Sequence, residues 1–386
     1  MVGSKRNPQV ARILGIAQRL ITASDRADAQ SALSMFLRNG VAWSMCEEEA
    51  SIYRELVDAA ARLAGSGYSR RFAESTVQEA LTAGGATLPE PAQVAAAIVD
   101  VLTATPPMAR VLCPIQGVDL QVPSVVIGDV TLRPRSAALG LFEQLVEDDT
   151  QRDAIREHFV SGLRGATAFA DVEVAGDPEH ATQLACARAD TALDLVRFVA
   201  AVTVPSGYRP DAGLLGDFVV GGRSVLLQPA GGGLVVRSET LGPLSPIRLD
   251  ESFLNVAASM GVDRLYRLVS STPPPDNFHD RVMRSLFWFG RAQRSRGTEF
   301  EWLSLVTALE LFFNERGERG ITEAVADGTA FVLGSSVAER IVISKNVRRF
   351  YAERSKISHA GQRGGDEAEV SLLRQYVHRT IQWSLR

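Results

Sequence analysis

The chain has 386 residues, of which 46% are hydrophobic and 22% charged, with a net charge of −4. That mix excludes a disordered chain, and the length suits two or three domains with sizeable cores. The net charge says little about partners, because local charge governs contact with nucleic acid.

Residues 8–105 read as helical: Leu14, Ala17, Leu20 and Ile21 keep a helical spacing, as do Leu56, Ala59, Ala60 and Leu63. Breaks at 65–67 (GSG) and 88–91 (LPEP) divide the segments. From about residue 109 the pattern changes. The runs at 110–116, 124–134, 168–175 and 217–229 are short, β-branched and bounded by Gly or Pro, so they read as strands. Residues 179–202 between them have helical periodicity. The stretch 106–270 is therefore expected to be an α+β middle domain with a small antiparallel sheet, in a chain that is otherwise mainly α. A proline-rich break, SSTPPPDN at 270–277, ends it, with Asp276 placed to cap the next helix. After it only helices are predicted, over 279–296, 299–316, 322–334, about 336–358 and 367–385. Helices this closely spaced make a compact bundle over 277–386.

The three cysteines, Cys46, Cys113 and Cys186, are far apart and form no C-x-x-C pair. Neither a disulfide framework nor a zinc site follows, so no metal and no cofactor is expected, and a reducing cytoplasm suits them. The start, MVGSKRNPQV, lacks a signal-peptide apolar core, and the longest apolar run, from Val196, is about half a membrane span. A soluble cytoplasmic protein with no membrane contact is expected.

The candidate chemistry lies in YAERSKISHAG, residues 351–361. Ile343, Val347, Phe350 and Ile357 form an apolar stripe, and Arg354 occupies a core-facing place within it. A guanidinium there needs a partner or a cleft. His359 follows five residues later, about 140° around an ideal helix, so the two side chains diverge on a regular helix. They converge only if the helix ends at Ser358 or if a second copy supplies one of them. Arginine holds phosphate through paired hydrogen bonds and histidine moves a proton near neutrality. On RNA the 2′-hydroxyl is itself a nucleophile, so this pair suffices for cleavage without a metal. From Arg340 to the end ten basic residues stand against four acids. Among them Arg348, Arg349, Lys356 and Arg363 read as RNA-binding positions.

Three stretches, LSLVTALELFF (303–313), FVLG (331–334) and FYAERSKISHAG (350–361), resemble the Apea-like HEPN domains. The resemblance covers 277–386 and leaves the first 270 residues without a counterpart. It implies a HEPN-type helical bundle that pairs as a homodimer, and a metal-independent endoribonuclease of stress, phage-defence or toxin–antitoxin settings. It carries Arg354 and His359 over as catalytic and Ser355 as the polar residue after the arginine. Glu310 is the acid expected to orient Arg354, Tyr351 reads as core packing, and His378 as structural or phosphate-proximal. RNA is the implied partner, with a regulatory or antitoxin protein beside it. The rival expectation is a non-catalytic module that binds nucleotide, nucleic acid or protein and dimerises.

Overall fold

The computed structural model describes residues 8–24, 34–38, 41–84, 89–145, 148–161, 163–203, 212–216, 221–227, 235–241, 246–269, 276–295, 298–313, 320–360 and 366–385. The protein is mainly helical, with 14 helices among the described residues and a small sheet in the middle of the chain. No described helix is long and apolar enough to cross a membrane. Its contacts gather into two compact units, Met1–Arg110 with Glu173–Leu184, and Val111–Val172 with Ala185–Arg386.

The first unit contains α1 (Pro8–Ser24), β1 (Ser34–Arg38), β2 (Val41–Met45), α2 (Glu47–Ala64), α3 (Arg70–Thr82) and α4 (Pro91–Thr103). Ile13, Ala17, Leu20, Leu56, Ala60 and Ile98 are buried in its core. Leu14, expected in the apolar stripe of α1, is instead 40% exposed, and Ile13 and Ile16 take the inward places. The antiparallel β1–β2 hairpin corrects the all-helical expectation, with Arg38 paired to Val41. The sequence Asn39–Gly40 between them is a favoured two-residue turn pair, and it was the local signal for this hairpin.

The middle stretch supplies β3 (Met108–Gln116), β4 (Val118–Leu120), β5 (Val125–Ile127), β6 (Val130–Pro134), α5 (Arg135–Leu145), α6 (Asp149–Ser161), β7 (Ala168–Ala175) and α7 (Pro178–Thr203). It continues with β8 (Gly213–Leu214), β9 (Gly221–Leu227), β10 (Val235–Leu241), β11 (Ile247–Leu249), α8 (Glu251–Ser259) and α9 (Asp263–Val269). A five-stranded sheet has the order β5-β6-β7-β3-β8. The run read as one strand at 124–134 is two, joined at Gly128, whose φ of 63° suits a turn that glycine enters freely. Of the strand read at 217–229, the described part is β9, which lies outside this sheet and pairs with β10. A parallel pair, β4 with β11, was not anticipated. Cys113 and Cys186, far apart in sequence, meet with their sulfurs 3.6 Å apart as free thiols. Burial and then the neighbouring Cys186 push the Cys113 thiol well above its ordinary range.

Among the described residues five helices follow: α10 (Asn277–Arg294), α11 (Thr298–Phe313), α12 (Ile321–Leu333), α13 (Val337–Ala360) and α14 (Glu367–Trp383). Asp276 caps α10 as expected, accepting from the His279 amide. α11 is apolar nearly all round, and Trp302, Leu305, Val306, Ala308 and Leu309 are buried, which makes it the central helix. Trp302 donates from its ring nitrogen to the Phe350 carbonyl at 3.1 Å and meets the Phe350 ring edge-on. The buried Glu301 accepts from Arg374 at 3.0 Å, tying α11 to α14. Ser335 and Ser336 exchange hydrogen bonds with Glu339 and fix the start of α13.

His378 belongs to this packing and not to a phosphate site. Its ring stacks on Phe198 with centroids 4.4 Å apart, and Nε2 lies 3.2 Å from the Phe198 carbonyl, so Nε2 donates. Burial lowers its pKa from 6.5 to about 4. Below pH 6.5 the unfolded chain takes up a proton that the folded chain refuses, so stability falls between pH 6.5 and 4. Asp194 works in the opposite direction: burial pushes its carboxyl up to about 7 against the pull of Arg197. Its stabilising effect is full below its ordinary value and fades as pH rises through 7. Comparison with His378→Gln cancels the Asp194 effect. The stability advantage of wild type over this variant should shrink by about 3 kcal/mol between pH 7 and 4, measured by urea unfolding. A constant difference would show that His378 is not held neutral.

Candidate functional site

The helix bearing YAERSKISHAG runs unbroken to Ala360. This corrects the expected end near Ser358. Ile343, Val347, Phe350 and Ile357 are all buried, as the stripe requires. Arg354 stands in that stripe at the point where the packing opens to solvent. Its guanidinium lies 3.6 Å from Glu310 of α11, with the arginine side chain 41% exposed and the carboxylate 18%. Glu310 is therefore the acid beside Arg354, as the sequence suggests.

Tyr351 packs one turn before Arg354 and is buried. Its hydroxyl makes no hydrogen bond of normal length among the described residues. Burial and then the Glu310 carboxylate push its ionisation far above the ordinary range, and Arg354 only partly offsets them. The phenol stays neutral.

Arg354 opens into a groove of about 530 Å³ formed by three helices. From α10 come Trp288 and Arg291, with Ser295 at its end; from α11 come Phe300, Leu303, Ser304 and Thr307; from α13 comes Ser358 beside Arg354. Arg291 sits 5.7 Å from the Trp288 ring centre, within cation–π range. The groove combines two cations, exposed aromatic surface and several hydroxyls. None of Trp288, Arg291, Phe300 or Ser304 was legible as a site residue. Their spacing marks faces of single helices, and nothing in a sequence aligns the faces of α10, α11 and α13.

His359 is exposed, makes no hydrogen bond or ion pair among the described residues, and is absent from the groove lining. Five residues of regular helix turn it about 140° from Arg354. A single chain thus does not bring the two together, and the unbroken helix removes one of the two routes to convergence. Ser355 and Lys356 are exposed, and Lys356 pairs with Glu353 at 3.0 Å. Arg349 lies 3.2 Å from Glu369. Arg348 lies 3.3 Å from Asp327 and lines a different groove, of about 610 Å³, with Phe331, Arg340 and Ile341. Arg363 lies outside the described residues. The basic residues are spread around α13 rather than gathered at Arg354.

No protein-family model, no curated protein and no solved structure matches this chain.

Proposed function

We propose that this protein is a metal-independent endoribonuclease of the HEPN type, with a C-terminal bundle that acts as a dimer. The observation that carries this reading is Arg354: a guanidinium set in a core stripe, braced by Glu310, and open to a groove. His359 lies on the same helix without a partner among the described residues. A second copy of α13, related by a twofold axis, brings its His359 to the first copy's Arg354.

In that composite site Arg354 holds the non-bridging oxygens of the scissile phosphate and offsets the charge that builds on them. The ribose 2′-oxygen attacks phosphorus while its proton passes to His359. The bond from phosphorus to the 5′-oxygen breaks, and that oxygen takes a proton from water, whose hydroxide is neutralised by the proton on His359. One proton leaves and one is returned, so no net acid or base is consumed. The products carry a 2′,3′-cyclic phosphate and a 5′-hydroxyl. A chain that cleaves RNA in its own cell needs restraint, so a regulatory or antitoxin protein partner, in a stress or phage-defence setting, belongs to the proposal.

The test is RNA cleavage in EDTA by the wild type and by the Arg354→Ala and His359→Ala variants. Wild type cleaves and the variants do not; cleavage that survives both substitutions sinks the reading. Glu310→Gln separates positioning from stability. The pair it breaks is half-open to solvent, so the variant should lose no more than about 1 kcal/mol of stability. Turnover should fall about tenfold through loss of Arg354 alignment, and Arg354→Lys should not restore it. Glu310→Gln with full turnover would leave Glu310 as a surface carboxylate.

A further inference from the structure

The groove beside Arg354 holds more than a phosphate requires. Phosphate contact is satisfied by cations and backbone amides and has no use for aromatic surface. Yet Phe300 is 72% exposed in the lining of this groove, although every other large apolar side chain of α11 is buried or partly buried. Trp288 of α10 lines the same groove, half-buried, with Arg291 5.7 Å from its ring centre. Ser304 is only 6% exposed and lines the groove, so it offers a hydroxyl to whatever enters. The volume, about 530 Å³, falls in the usual range for small-molecule sites.

We infer that this groove seats one unpaired nucleobase, stacked on Phe300 and Trp288, with Ser304 bonded to its edge and the adjoining phosphate on Arg354 and Arg291. A base in a duplex keeps both faces covered by its neighbours and its edge paired, so it cannot enter. The ligand class is therefore a single-stranded nucleic acid segment, and for the reaction above the cut falls next to the seated base. The choice of RNA as ligand rests on the ribonuclease reading; the stacking seat rests on the groove alone.

The test uses full-length His359→Ala protein, which leaves RNA intact and the groove untouched. Binding of an end-labelled octaribonucleotide is followed by anisotropy, with Phe300→Ala as the main variant because that side chain is exposed and its loss spares the core. Phe300→Ala should weaken single-strand binding about tenfold or more and leave weak binding to the same sequence as a duplex unchanged. A single abasic position, scanned along the octamer, should at one place cost as much as Phe300→Ala, and the two losses should not add. Additive losses at every position, equal weakening of single strand and duplex, or no binding of the octamer at all would overturn the seat. The two proposals fail separately. Coupled losses in a wild-type background that never cleaves RNA would keep the seat and refute the ribonuclease. Cleavage by wild type with unchanged affinity and cut position in Phe300→Ala would do the reverse.

Discussion

Gly290→Ala should destabilise the second unit by about 2–4 kcal/mol, although alanine is the better helix former. Gly290 is buried in α10, and a Cβ placed there would lie 1.7 Å from the Asp194 carboxylate oxygen and 2.5 Å from its Cγ. Asp194 has no room to retreat. It is 1% exposed and held by the fully buried Arg197, whose Nε also donates to the Ala212 carbonyl at 2.8 Å. Displacing the carboxylate leaves the buried guanidinium only Asp190, 3.3 Å away, as an acid partner, and breaking one side of a buried pair costs up to about 3–5 kcal/mol. Moving α10 instead opens the core at Leu286 and Phe289. The gain in helix propensity returns only about 1 kcal/mol. Gly15 in α1 provides the contrast, because nothing lies within 4 Å of the Cβ it would gain. Gly15→Ala should raise stability by about 0.5–1 kcal/mol. Urea unfolding checks both, and a Gly290→Ala protein as stable as wild type would refute the close approach of α7 and α10.

The second large effect is on turnover. His359→Ala should lower RNA cleavage by about 10²–10⁴-fold, the usual worth of a positioned proton carrier. Arg354→Ala should lower it by about 10²–10³-fold, as loss of a donor to developing charge does. Neither should cost more than about 0.5 kcal/mol of stability, since both side chains are solvent-accessible. Mixing the two inactive proteins gives the more searching result. In a mixed dimer one site has lost both groups and the other retains Arg354 from one chain and His359 from its partner. Random exchange therefore restores about a quarter of wild-type activity. Full inactivity of the mixture, with exchange demonstrated, would place both groups of each site in one chain.

The helices of the C-terminal half were legible because their apolar patterns are long. Arg354 was legible for the same reason: a charge in a stripe of Ile343, Val347, Phe350 and Ile357 breaks a pattern strong enough to expose it. Its pairing with Glu310 followed from a carboxylate set among apolar residues on the neighbouring helix. The β1–β2 hairpin was missed because its strands are short and lie between helical patterns. The meeting of Cys113 and Cys186, the contact of Asp194 with Gly290 and the stacking of His378 on Phe198 were not legible. Each joins α7 to a partner distant in sequence, and periodicity reports a residue's face without naming what covers it. The groove was hidden for that reason as well.

The most direct measurement is of the chemistry. An RNA substrate is incubated with the protein in EDTA, its cut position is located, and a second substrate carries a 2′-deoxy sugar at the nucleotide 5′ to that cut. The account predicts cleavage of the first with 2′,3′-cyclic phosphate and 5′-hydroxyl ends, and none at that position in the second. Cleavage of the deoxy substrate at the same bond, or products ending in 5′-phosphate, would contradict it.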